Sequence, residues 1–184
     1  MKSLRIVSGK YKGRRIHQAK SEKTRPTGER VREAVFNILA DDIAGASFLD
    51  LYAGTGAMGV EALSRGARYV VFVEHYRKQA DAIKETLDNL DAGTSALVLP
   101  YKVSSAINHG IEGSPFDFVF IDPPYFEGIY EKTLQLLAKS RIITEKSVII
   151  TESHKRMPLH EASGYAVKNE RSYGDTIVTF LVRE

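Results

Sequence analysis

The chain has no cysteine anywhere in its 184 residues. Disulfides, thiolate metal sites and cysteine nucleophiles are excluded together. It also lacks any apolar run near the ~18 residues that a membrane span needs. The opening Met1-Lys2-Ser3-Leu4-Arg5 has no apolar core of the export type, so a cytoplasmic location is expected. There is no internal repeat and no low-complexity linker. His17, His75, His109, His154 and His160 are scattered without metal-ligand spacing, and no metal is expected. What remains is an ordinary globular composition, 43% hydrophobic and 27% charged. It suits one domain with a full core and a short appendage.

The net charge is only +3, but it is unevenly spread. Residues 1–32 hold eleven cations (Lys2, Arg5, Lys10, Lys12, Arg14, Arg15, Lys20, Lys23, Arg25, Arg30 and Arg32) against Glu22 and Glu29, a net +9. The rest of the chain is therefore acidic, at −6. A basic arm on an acidic body, with Tyr11 and His17 interleaved, points to a polyanion such as nucleic acid.

Two short β-prone runs, Leu4–Ser8 and Arg14–His17, flank Gly9-Lys10-Tyr11-Lys12-Gly13 and predict a hairpin. Thr24-Arg25-Pro26-Thr27 reads as extended, because a residue before proline avoids the helical region. Thr27 then reads as the N-cap of a helix over Glu29–Leu39, with Val31, Val35, Ile38 and Leu39 at helical spacing. From residue 46 strands and helices alternate. The expected strands are Ser47–Tyr52, Tyr69–Glu74, Ala96–Leu99, Phe116–Asp122 and Ser147–Glu152. The expected helices are Ala57–Arg65, Tyr76–Leu90, Val103–His109 and Gly128–Ala138. A final pair, Tyr165–Arg171 and Asp175–Val182, turns at Ser172-Tyr173-Gly174 and closes the sheet antiparallel. The pattern predicts an α/β, Rossmann-like doubly wound fold: seven strands, mostly parallel, the last antiparallel. Residues 1–40 form the basic hairpin-and-helix appendage, and 41–184 the α/β domain. Ligands of such sheets bind at the carboxyl ends of the strands.

Two motifs fall at those ends. Gly54-Thr55-Gly56-Ala57-Met58-Gly59 has the G-x-G-x-x-G spacing between a strand and a helix. Missing side chains let backbone approach a ligand, and the helix N-terminus offers free N–H groups. Glu74, ending the next strand, is placed for ribose hydroxyls. These features serve dinucleotides and S-adenosylmethionine alike. Asp50 separates them: an anion before the loop would repel a pyrophosphate but suits a cationic sulfonium and ammonium. Cofactor candidates are thus Asp50, Tyr52, Gly54, Gly56, Gly59 and Glu74. Tyr52 reads equally as an exposed strand-end tyrosine, Met58 as core or pocket wall, and Glu61 as structural.

The second motif is Asp122-Pro123-Pro124-Tyr125 after the apolar run Phe118–Ile121. An exocyclic amine is a poor nucleophile because its lone pair is delocalised into the ring. The Asp122 carboxylate and the Pro123 carbonyl can hold its two N–H groups. Two prolines stiffen the backbone and remove competing donors. Tyr125 can stack on a base taken out of its helix. Asp122, Pro123 and Tyr125 are the catalytic candidates. The lack of cysteine excludes ring-carbon pyrimidine methylation, which needs a thiolate.

At this point the chain resembles the RsmD family of bacterial 16S ribosomal RNA methyltransferases. The resemblance runs through Arg5–Gly9 with Gly13-Arg14-Arg15, Thr24–Thr27 with Arg30–Asn37, Asp50–Gly59, Glu61–Ala67, Asp122–Tyr125 and Tyr173–Thr176. It implies a class I methyltransferase fold and S-adenosyl-L-methionine as donor. It implies transfer to a guanine N2 of 16S rRNA, of the guanine 966 type. The substrate would be RNA in a small-subunit ribosomal particle, with no membrane and no required protein subunit. The basic arm would lie on that RNA through Arg5, Lys10, Lys12, Arg14, Arg15, Arg25 and Arg30. In one respect the chain departs from the family: Lys102 stands after the third strand, where members often carry Asp or Asn, so adenine contacts there are left to backbone or Ser104. A DNA adenine-N6 enzyme would need a recognition domain for which there is no room. A protein amide enzyme would more typically carry Asn at position 122. A non-catalytic RNA-binding factor would not need an intact Asp122 and glycine turn.

Overall fold

The computed structural model describes residues 4–19, 28–124, 128–157, 159 and 164–184. Seven strands form a single sheet: β1 Ser47–Leu51, β2 Tyr69–Val73, β3 Ala96–Leu99, β4 Phe118–Ile121, β5 Val148–His154, β6 Tyr165–Tyr173 and β7 Thr176–Arg183. Their order is β3-β2-β1-β4-β5-β7-β6. β1 to β5 run parallel, and β7 is inserted antiparallel between β5 and β6. The helices are α1 Glu29–Leu39, α2 Ala57–Ser64, α3 Arg77–Asn89, α4 Val103–His109 and α5 Ile129–Ala138. This is the expected α/β architecture with its antiparallel last strand.

Strand alternation sorts the core into two layers. Phe48, Phe72 and Phe120 point to the side packed by α1, α2 and α3. Leu49, Leu51, Val71, Val73, Val119 and Ile121 point to the side packed by α4 and α5. With both faces covered, the central strands are apolar throughout, which is why they read so plainly as runs. Asp50 is the exception. It is a carboxylate on the same face as Phe48, and it is 1% exposed.

Several boundaries differ from expectation for identifiable reasons. β1 stops at Leu51 because Tyr52 takes a left-handed φ of 60°. β4 starts at Phe118; before it, the Phe116 amide donates to the Ile142 carbonyl at 2.9 Å and the Asp117 amide to the Ser47 carbonyl at 3.1 Å. β5 runs on to His154, since it pairs with β7 as far as His154↔Thr176. The β6–β7 turn is Gly174-Asp175, because Tyr173 and Thr176 are themselves paired. Helix α1 is capped by Gly28, with no side-chain hydrogen bond, rather than by Thr27, which lies outside the described residues. The amino-terminal hairpin reduces to one antiparallel bridge, Arg5↔Arg15, with hydrogen bonds from Ile6 to Arg14 and from Ile16 to Leu4.

Candidate functional site

The strand order reverses between β1 and β4, and the crevice at such a switch point is where open α/β sheets bind ligands. Register pairs Leu51 with Ile121 and Ile121 with Thr151. Tyr52, Asp122 and Glu152 are therefore the next residues on three adjacent strands, at the carboxyl end. Both sequence motifs meet at this crevice.

Hydrogen bonds within the loop, to β2 and to the residue after β2 hold the glycine loop. The Ala53 amide donates to the Val73 carbonyl at 3.0 Å, and the Gly56 amide to the Ala53 carbonyl at 2.7 Å. The Gly54 amide donates to Glu74 Oε2 at 2.8 Å. Three glycines serve three purposes. A Cβ on Gly54 would meet nothing nearer than 3.8 Å, so its backbone lies open. Gly56 caps α2 at a φ of 72°, and a Cβ there would stand 3.0 Å from Ile83 of α3. Gly59 lies inside α2, where a Cβ would come within 2.2 Å of the Phe72 ring. Gly59 thus lets helix and strand pack closely, and its place is in that packing rather than at the open side of the loop.

The two acidic candidates are buried differently from the sequence expectation. Asp50 Oδ2 accepts the Gly59 amide at 2.9 Å, so one oxygen of the carboxyl is engaged by the first turn of α2. Burial pushes its pKa up to about 8; the charge of Glu74 adds to the rise and the Gly59 N–H opposes it. Glu74 is 7% exposed, and Oε1 accepts the Tyr76 amide at 2.7 Å while Oε2 takes Gly54. Each Glu74 oxygen keeps a further lone pair for a ligand hydroxyl. Lys102 is exposed at the N-cap of α4, and Ser104 is exposed beside it.

At the second motif Asp122 is half-buried, Pro123 buried and Pro124 exposed; Tyr125 lies outside the described residues. Helix α5, which receives this loop, is fixed on two sides. The Tyr52 hydroxyl meets Thr133 Oγ1 at 2.8 Å, and the Tyr130 hydroxyl donates to the Glu152 carbonyl. Tyr52 is half-buried, and burial raises its pKa. The left-handed backbone of Tyr52 is the kind of local strain that surrounding contacts must hold in place. Its hydroxyl therefore links the glycine loop to the helix after the Asp-Pro-Pro turn, a role that a strand-end tyrosine does not announce in sequence.

Of the cationic candidates, Arg5, Lys10, Lys12, Arg14, Arg15 and Arg30 are exposed, and Arg25 lies outside the described residues. Two of them also brace the arm. Arg5 Nη1 donates to the Gly13 carbonyl at 2.7 Å, and Arg14 Nη2 to the Asn89 carbonyl at 2.5 Å. Lys10 Nζ sits 4.9 Å from the centre of the Tyr11 ring. Arg32, counted with the arm's charge, is fully buried; Nη2 donates to the Arg5 carbonyl at 2.9 Å, and burial lowers its pKa. Among the described residues no cluster of His, Asp and Glu could hold a metal, and no helix is long and apolar enough to cross a membrane.

The chain is similar to known proteins. A family model described as conserved hypothetical protein 95 matches residues 4–182. Ribosomal RNA small subunit methyltransferase D of Escherichia coli K12 is 37% identical, covering 98% of this chain and 90% of its own. The Haemophilus influenzae protein of that name is 33% identical, over 93% of this chain and 89% of its own. The solved structure of yhhF from Escherichia coli superposes with a TM-score of 0.84 at 32% identity, covering 99% of this chain and 98% of that one.

Proposed function

The chain belongs to the family of ribosomal RNA small subunit methyltransferase D, and on that premise we propose that it methylates the N2 of a guanine in 16S rRNA, guanine 966 in the family's usual position. The methyl donor is S-adenosyl-L-methionine. The observation that carries the reading is the Asp122-Pro123-Pro124 turn, directly beyond β4 and beside the glycine loop at the switch point.

The donor site suits a cation. The Glu74 carboxylate brings it negative charge, which adds to the rise of the Asp50 pKa, and keeps acceptor capacity for a diol. The open backbone of Gly54 leaves room for close approach. Bound there, the sulfonium supplies an electrophilic methyl carbon. Asp50 acts through the loop it braces, Tyr52 through α5, and Gly59 through packing. In the acceptor pocket, Asp122 and the Pro123 carbonyl accept the two N–H groups of the guanine amine, and Tyr125 stacks on the ring. The nitrogen lone pair then forms the new N–C bond as the S–C bond breaks. The extra proton leaves from nitrogen, so no strong base is required. Most of the acceleration is alignment. Residues 1–40 serve as the RNA-binding appendage and 41–184 as the catalytic domain, with Arg5, Lys10, Lys12, Arg14, Arg15, Arg25 and Arg30 facing phosphates. The natural acceptor is RNA within a small-subunit particle.

The test is transfer of labelled methyl to three acceptors: small subunits or their precursors from cells lacking the enzyme, ribosomal RNA alone, and duplex DNA. Label should appear in RNA and be recovered as N2-methylguanosine. Asp122→Ala should cut the rate by about 10²–10³-fold while donor affinity holds. Label in DNA alone, or near-normal turnover in the variant, would overturn the reading.

A further inference from the structure

One carboxylate is used by none of this chemistry. Glu61 is fully buried in the second turn of α2, five residues past Gly56. Its Oε2 accepts the Val7 amide at 2.8 Å and its Oε1 the Ser8 amide at 2.9 Å. Arg65 Nε donates to Oε1 at 3.0 Å, and Arg32 Nε stands 3.6 Å from Oε2. Consecutive backbone amides closing on one carboxylate resemble the nests that otherwise bind free anions. Ser64, nearly one turn on, extends the joint. Its hydroxyl donates to the Ser8 carbonyl and accepts the Tyr11 amide at 3.0 Å, and its carbonyl accepts the Lys10 amide at 2.7 Å. Gly9 lies so close that a Cβ would stand 1.9 Å from the Ser64 carbonyl oxygen.

Beyond this joint the arm runs along α3 in the opposite direction. Arg14 bonds Asn89, the His17 amide donates to Thr86 Oγ1 at 2.9 Å, and the Ala19 amide donates to Gln79 Oε1 at 3.2 Å. The arm therefore climbs from the base of α3 toward the rim where Glu74 and the glycine loop lie.

From these contacts we propose that Glu61 is a positioning residue for RNA: it fixes the cationic arm to the helix that carries the glycine loop, so that phosphate-binding side chains and the methyl donor keep one spacing. The inference rests on the arm's reading as the RNA-binding element. Detaching the arm would take from a buried carboxylate its two amide donors, leaving it Arg65 and Arg32, which favours the docked form. A docked arm presents its cations already ordered, so RNA binding need not order them. Loss of Glu61 leaves every cation and every donor-site residue in the chain. What changes is the cost of ordering the arm, which enters KM for RNA and not turnover at saturation.

The experiment compares Glu61→Gln and Gly9→Ala with the wild type. Gln retains the shape but turns a donor toward one amide; the Gly9 methyl displaces the arm from Ser64 without touching the carboxylate. Hydrogen exchange should show the Val7 and Ser8 amides losing protection in both variants. KM for RNA should rise by about tenfold or more, with kcat at saturating RNA and calorimetric donor affinity within about twofold. A role confined to stability would instead lower melting temperature with no change in KM for RNA. Exposed amides with unchanged KM for RNA in both variants would overturn the proposal. Failure of the underlying reading looks different: the wild type itself would not methylate RNA, or would bind it without salt dependence.

Discussion

The arm and the sheet are held by opposite means. In the sheet Phe48, Phe72, Phe120, Val119 and Ile121 interdigitate with helices on both sides and are essentially dry. In residues 4–19 only Ile6 and Ile16 are buried apolar side chains. Two isoleucines contribute about 3–6 kcal/mol of burial, before the entropy of ordering the segment is subtracted. The arm's geometry is instead dictated by hydrogen bonds to Glu61, Ser64, Thr86 and Gln79. Apolar packing tolerates small shifts of register; a carboxylate receiving two amides does not. The sheet thus supplies stability, and the arm is placed by direction.

That contrast can be broken most sharply at Gly59. Valine there must displace the Phe72 ring, so Gly59→Val should cost about 3 kcal/mol or more in denaturant unfolding. A loss under about 1 kcal/mol would show the sheet–helix packing to be looser than the structure indicates. A smaller effect is expected at Asp50. Its carboxyl holds a proton up to about pH 8 in the folded protein, against 3.8 for an unperturbed aspartate. Between those values the folded state binds the extra proton, so stability falls as pH rises through the window. Asp50→Asn is neutral throughout and can still accept the Gly59 amide. Its melting temperature should gain on the wild type by several degrees between pH 5 and pH 8. Parallel pH profiles for the two proteins would remove Asp50 as the titrating group. The smallest change in stability is expected in the arm. Lys12→Ala with Arg15→Ala should leave unfolding within about 0.5 kcal/mol of wild type. The same pair should reduce the salt slope of RNA binding by about 1–2. A stability loss above that, or an unchanged slope, would merge the two regions that the structure separates.

Much of this was legible in the chain. β3, α1 and α4 fall at the expected residues, and most other ends lie within two, because fully buried strands and amphipathic helices leave unbroken patterns. The Asp-Pro-Pro turn and the glycine turn carry their signal locally, in residue types that force a backbone shape. What escaped depends on partners far along the chain. Nothing in Glu61-Ala62-Leu63 indicates that its carboxylate waits for amides 54 and 53 residues earlier. Arg32 reads as one more cation of a basic arm, yet it is buried beside that same carboxylate. Asp50 reads as a ligand contact because its position is right; that one of its oxygens also holds the Gly59 amide depends on the strand's facing. Gly56 and Gly59 look alike in a motif, and only Ile83 and Phe72 distinguish their purposes.

The ladder along α3 also bears on the order of assembly. The arm is synthesised ahead of its anchors, for its rungs reach Glu61, Gln79, Thr86 and finally Asn89, at separations of up to 75 residues. It cannot seat until α3 has followed it. During that interval a strongly cationic segment waits for its own carboxylate. An element made before its anchors is among the last to find its place, and the growing fold must come to it.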